Sequence, residues 1–145
     1  METKCDIQIR HYQPEDYADL RGWWKWHGAE RMHESIIPTS SCVVEDSKGP
    51  AAFAAVFLCN SNHMAFCHGL VVRPEMKAHD TFQVLEALQD GIDIIMQAGG
   101  HSVLHASVEG EAMLRGAKRL GFHQLGKQVY QIGRVINTKQ KTEPC

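Results

Sequence analysis

Hydrophobic and polar positions along the chain follow two periods in turn. Ile7, Ile9 and His11 alternate with Gln8 and Arg10, the period-two pattern of a half-buried first strand. Pro14 followed by Glu15 and Asp16 opens a helix, because proline suits the first turn and acids suit its positive end. That helix carries Tyr17, Leu20 and Trp23 or Trp24 and runs towards Gly28. A shorter helix is expected from Ala29 to Ser35, before Pro38. Ser41 to Glu45 reads as a strand, Asp46 to Pro50 as a turn, and Ala52 to Cys59 as a second strand. Asn60-Ser61-Asn62 turns the chain again, and His63 to Arg73 is a third strand closed by Pro74. Three successive strands on short turns predict an antiparallel meander.

The period then changes. Phe82, Leu85, Leu88, Ile92, Ile95 and Met96 recur at spacings of three and four, an apolar helix face ended by Gly99-Gly100. His101 to Val108 reads as a strand, Glu111 to Leu120 as a helix capped by Gly121, and Gln128 to Val135 as a last strand. The order β-α-(α)-β-β-β-α-β-α-β predicts an α/β (α+β) fold, with a mixed, mostly antiparallel central sheet flanked by helices. Residues 1–136 are expected to form one domain, and the polar stretch 137–145 a frayed tail.

Composition narrows the class. A chain of 145 residues, 43% apolar and 22% charged, can bury the core of one domain. Fifteen Lys and Arg against seventeen Asp and Glu leave a net charge of -2, which argues against a nucleic-acid coat. The longest apolar run, Ala51 to Cys59, is too short to cross a bilayer, and Glu2, Lys4 and Asp6 leave no signal-peptide core. A soluble, cytoplasmic protein is expected, monomeric or dimeric through a sheet edge. The five cysteines form no CxxC pair, and Cys42, Cys59 and Cys67 read as reduced, packed thiols. His101 and His105, four apart on a strand, stand about 13 Å apart and cannot grip one metal together, so no metal site is expected.

Two motifs carry a resemblance. Gly69-Leu70-Val71-Val72-Arg73-Pro74 precedes the long helix, and Lys118-Arg119-Leu120-Gly121-Phe122 closes the next one. With them in that order, the chain from Ile7 to about Val135 resembles the GNAT superfamily of acyl-CoA-dependent N-acyltransferases. Gly-Trp-Trp-Lys-Trp-His at 22–27, with Pro38 before a strand, resembles a phage and bacterial subgroup of small GNAT-like proteins. The resemblance implies a splayed strand whose unpaired N–H groups hold the thioester carbonyl, here His68 to Val72 with Leu70, Val71 and Val72 on the cofactor. It also implies a loop and helix N-terminus for the pyrophosphate of CoA, here Lys77, Ala78, His79, Asp80, Thr81 and Phe82. The activity it implies is transfer of an acetyl group from acetyl-CoA, as co-substrate, to a primary amine by direct attack. The acceptor would be a small molecule or a protein.

The chain also departs from that family. Lys77 falls at the basic position of the phosphate signature, but Asp80 and Phe82 replace its two glycines. Glycine lets backbone approach phosphate closely, whereas Asp80 adds negative charge and Phe82 adds bulk. Asp80 is a natural helix N-cap, and Lys77, His79 and Arg73 are placed to offset its charge. The tyrosine that protonates the leaving thiolate is matched by Ala117, and the asparagine before that helix by Gly110. His68, expected on the face of Phe66 and Leu70, is the candidate base for the amine proton, with a satisfied core histidine as the competing reading. Glu109 is the candidate for orienting the amine. Trp23 and Trp26 share a side with Leu20, so at least one belongs to the core, and Trp24 is the candidate contact to the acceptor, with a core tryptophan as the competing and favoured reading. Arg115, Lys118 and Arg119 suit the negative end of their helix. Asp80, Phe82 and Ala117 motivate a rival reading, a catalytically inactive GNAT-fold binding or structural protein associated with a virus particle.

Overall fold

Strand residues sort by parity onto two buried faces, each covered by a different helix. The computed structural model describes residues 6–108 and 111–126. Five strands, β1 (Gln8–His11), β2 (Cys42–Asp46), β3 (Gly49–Leu58), β4 (Met64–Val72) and β5 (Val103–Ala106), lie side by side in sequence order. The first four are antiparallel neighbours and β5 runs parallel to β4, so the mixed, mostly antiparallel sheet is as expected. A parallel return needs a crossover, and α2 (Ala78–Ala98) supplies it. Two further helices, α1 (Tyr17–His27) and α3 (Glu111–Arg119), complete the described chain. No helix among the described residues is long and apolar enough to cross a membrane.

On one face Cys42, Val44, Ala52, Ala54, Val56, Ala65 and Cys67 pack under Val84, Leu88, Ile92 and Met96 of α2. On the other, Val43, Phe53, Ala55 and Val71 pack under Leu20, Trp23 and Trp24 of α1, with Met32 beside them. β3 is buried on both faces, which is why its sequence is an unbroken apolar run rather than an alternating one. Gly91 brings α2 down onto the sheet: a Cβ there would stand 2.5 Å from Ile9 Cγ2 and 2.7 Å from Cys42 Sγ. Arg10 ties the sheet to the start of α1, donating to both carboxylate oxygens of Asp16 and to Glu45.

Several local expectations are corrected. The short helix over 29–35 is replaced by a 3-10 turn at Glu34–Ile36. α1 closes at Gly28 (φ 69°), whose N–H and that of Ala29 bond back to Lys25 and Trp24. The chain then drops Met32 into the core, and Tyr17 Oη donates to its carbonyl at 2.8 Å. The strand expected over 101–108 shortens to Val103–Ala106, because His101 turns in to bond the Cys59 carbonyl at 2.7 Å. Glu109 and Gly110, the last strand at 128–135 and the tail at 137–145 lie outside the described residues.

Candidate functional site

The site is built where β4 outlives its pairing with β5. The two strands are registered only from Met64↔Val103 to Cys67↔Ala106, while β4 continues to Val72. Among the described residues its last five therefore have a strand neighbour on the β3 side alone. That side is interrupted too, because Gly69 and Leu70 together oppose the single residue Ala54, a β-bulge with Gly69 at φ 66°.

Bulge and ladder together decide which amides are used. Cys59 N–H bonds the Met64 carbonyl and Arg73 N–H bonds the Ala51 carbonyl. Alternation along an antiparallel ladder then makes Ala55↔His68 and Phe53↔Val71 hydrogen-bonded pairs. Val71, expected to contribute its amide to the cofactor, turns it to β3 and buries its side chain against α1. Gly69, Leu70 and Val72 stand outside that ladder. Their carbonyls are claimed by α1 at two points: Trp24 Nε1 donates to Gly69 O at 3.1 Å, and His27 Nε2 to Val72 O at 2.9 Å.

The bulge also changes which side chains share a face. Leu70 and Val72 pack on the α2 face with Cys67, so Leu70 does not lie beside His68 as strict alternation would have it. His68 is exposed, not a core histidine, and sits at the last position before the bulge. Phe66, two residues earlier, is 39% exposed and takes the His105 ring edge-on at a centroid distance of 5.7 Å. Trp23 and Trp24 are the buried tryptophans of the motif, Trp24 at 1% exposure with its N–H engaged, whereas Trp26 is 57% exposed against His27. The candidate acceptor contact at Trp24 is therefore corrected: its ring fills the core behind the bulge, stacked edge-on with Tyr17 and Phe53.

Beyond Val72 the chain turns through Pro74 and Glu75, the latter at φ 65°, and enters α2. Lys77, not Asp80, is the N-cap, and no side chain caps the first turn. Ala78, His79, Asp80, Thr81 and Phe82 are helical rather than a loop, with Thr81 N–H bonded to the Lys77 carbonyl at 2.8 Å. Arg73 is not free: it grips both carboxylate oxygens of Asp46 at 2.9 and 2.6 Å and donates to Pro50 O. Those bonds hold the Asp46 carboxyl below the usual range, and they raise the Arg73 pKa, as does the nearby charge of Asp80 more weakly. Phe82 carries the Arg119 guanidinium over its ring at 4.2 Å, a cation–π contact joining the start of α2 to the end of α3. The Leu120-Gly121-Phe122 stop of α3 is a Schellman turn, with Gly121 at φ 94° and Phe122 N–H bonded to Ala117 O.

Elsewhere the described residues hold little that competes. No three of His, Cys, Asp and Glu gather there as a metal site. A shallow depression of about 600 Å³, rimmed by Arg21, Lys25 and Arg31, lies on the side of α1 opposite the buried Leu20, Trp23 and Trp24. It has no part in the splay.

No protein-family model matches the chain, and no curated protein matches it in sequence. Solved structures do. An aminoglycoside N-acetyltransferase AAC(6')-Iy in complex with CoA superposes with TM-score 0.67 at 16% identity, over 88% of this chain and 100% of that one. Ard1 from Thermoplasma volcanium gives TM-score 0.67 at 17% identity, over 81% and 82%. The ribosomal-protein-S18-alanine N-acetyltransferase from Escherichia coli gives 0.66 at 16%, over 83% and 79%. The chain has the fold of the GNAT N-acetyltransferases.

Proposed function

We propose that the protein is an N-acetyltransferase that moves an acetyl group from acetyl-CoA to a primary amine. The observation that carries this reading is the free end of β4 beyond Cys67↔Ala106, followed at once by the uncapped N-terminus of α2. Orphan N–H groups at a helix start attract anions, and a strand edge with no partner offers N–H groups to a carbonyl. The residues fit a CoA-type donor. Lys77 stands exposed at the helix start, whereas Arg73 is committed to Asp46. Phe82 fills one glycine position, but its ring supports Arg119 and so adds a cation to that end of α2.

Acetyl-CoA supplies the acyl carbon and a thiolate leaving group. The amine nitrogen attacks that carbon, the C–N bond forms, and the C–S pair leaves on sulfur. His68, exposed where the strands part, takes the amine proton. Glu109 is the second candidate on the amine side, by its place just after β5 in the sequence. With Ala117 at the position of the usual acid, the thiolate takes its proton from solvent. AAC(6')-Iy and the S18-alanine enzyme are named for an aminoglycoside and a ribosomal protein, so the acceptor here is drawn from the same two classes, small-molecule and protein amines.

The second reading, a GNAT-fold protein that binds a partner without transferring acetyl groups, is favoured by Asp80, Phe82 and Ala117. Calorimetric titration with acetyl-CoA and desulfo-CoA separates the two. Micromolar binding of both is the expected result. Absence of binding at millimolar ligand removes the transferase reading and leaves the binding protein.

A further inference from the structure

The Gly-Trp-Trp-Lys-Trp-His segment has no role in the chemistry above, yet two of its side chains end on β4. Trp24 and His27 are one helical turn apart and so lie on the same side of α1. Trp24 Nε1 donates to the carbonyl of Gly69, inside the bulge, and His27 Nε2 to the carbonyl of Val72, at the end of the strand. A carbonyl only accepts, so His27 is held with its proton on Nε2.

The direction of the Val72 carbonyl gives this contact its meaning. Arg73 N–H bonds Ala51 O, so the amide groups of Val72 point away from β3, towards the side that β5 has already left. In an extended residue N–H and C=O point the same way, so the Val72 N–H lies on that open edge beside its carbonyl. A bulged strand end held to β3 only through Val71 and Arg73 would twist at the residues between or fold back on β5. Two bonds from one helix prevent both, and they use up carbonyls rather than N–H groups.

We propose that Trp24 and His27 are positioning residues for the acyl donor: they hold the free end of β4 in shape and leave its N–H groups for the donor's carbonyl oxygens. This rests on the acetyl-CoA reading. It also explains why a buried tryptophan and an exposed histidine belong to one motif: the first anchors the bulge from within the core, the second closes the strand end from the surface.

The test uses the full chain as wild type and as His27→Ala, His27→Gln and Trp24→Phe. His27 is exposed, so its substitution leaves the core intact. Two quantities are read: the affinity for desulfo-CoA, and amide exchange at Val72 and Arg73 without ligand. Loss of one hydrogen bond in His27→Ala should weaken binding about fivefold and speed exchange at Arg73 by a similar factor. His27→Gln, whose amide can donate to the same carbonyl, should restore both to within about twofold, and Trp24→Phe should weaken binding about as much as His27→Ala. Unchanged exchange in His27→Ala, tighter binding in that variant, or failure of Gln to rescue overturns the proposal. If the wild type binds no desulfo-CoA, the acetyl-CoA reading and the donor role fall together, while exchange still reports whether the two bonds hold the strand.

Discussion

Gly69 is the point on which the splay turns, and Gly69→Ala is the sharpest test of it. Its φ of 66° lies in the left-handed region, which costs an L-residue about 1–2 kcal/mol. A Cβ built there overlaps Met32 Sδ and stands 3.2 Å from Met32 Cγ and 3.5 Å from Trp24 Cζ2. Met32 is flexible but only 4% exposed, so the thioether has little room to yield, and crowding adds about 1–2 kcal/mol. The sum is a loss of about 2–4 kcal/mol, a large share of an ordinary domain's stability. Urea unfolding of four proteins resolves the two parts: wild type, Gly69→Ala, Met32→Ala and the double variant. Relief of the crowding should make the double variant about 1–2 kcal/mol more stable than the two single losses added together. A Gly69→Ala protein within about 0.5 kcal/mol of wild type would mean that Gly69 is not left-handed, and the bulge argument would fall with it.

Four further outcomes follow from other contacts. Glu75→Gly should raise stability by about 0.5–1 kcal/mol in thermal unfolding, because glycine adopts φ 65° without the strain glutamate bears. Gly91→Ala should lower it by about 1 kcal/mol despite the better helix former, since the new methyl meets Ile9 and Cys42. Burial pushes the Cys42 and Cys67 thiols up to about 11 and about 12, so neither should be alkylated at pH 8 until the protein unfolds, as mass spectrometry of peptides would show. The Arg73 bonds hold Asp46 below its unfolded pKa, a stabilisation complete above about pH 4 and lost as pH falls through the folded value. Urea midpoints should therefore drop on acidification, less steeply in Asp46→Asn than in wild type.

The fold was legible because both periods were clean: the α2 apolar face and the meander of β2, β3 and β4 stand close to where the pattern puts them. Misreadings gather where a tertiary contact overrides local preference. Helix propensity over 29–35 yields to the burial of Met32, whose side chain the missing Cβ of Gly69 makes room for. Asp80 is a good N-cap by residue type, yet the helix begins three residues earlier, at the end of the Pro74-Glu75 turn, and leaves Asp80 in its first turn. A helical wheel cannot choose between a core place and a cleft place for Trp24 without knowing where the sheet lies. An indole that must find a hydrogen-bond acceptor inside the core found it at Gly69.

The site itself escaped the pattern for one reason, which is that parity fails at a bulge. Up to His68 every second residue of β4 shares a face, so the sequence puts Leu70 beside the histidine. Gly69 inserts one extra residue, and from there Leu70 and Val72 turn to α2 while Val71 turns to α1. The only trace of this in the sequence is a glycine inside a strand, a known mark of a bulge or a close approach of backbone. Here it marks both. Gly69 lets the strand kink and lets Met32 and Trp24 close on it, and the same kink turns the amide edge of Leu70 and Val72 out of the β3 ladder. A feature that weakens the strand as a strand is thus what frees its edge for binding.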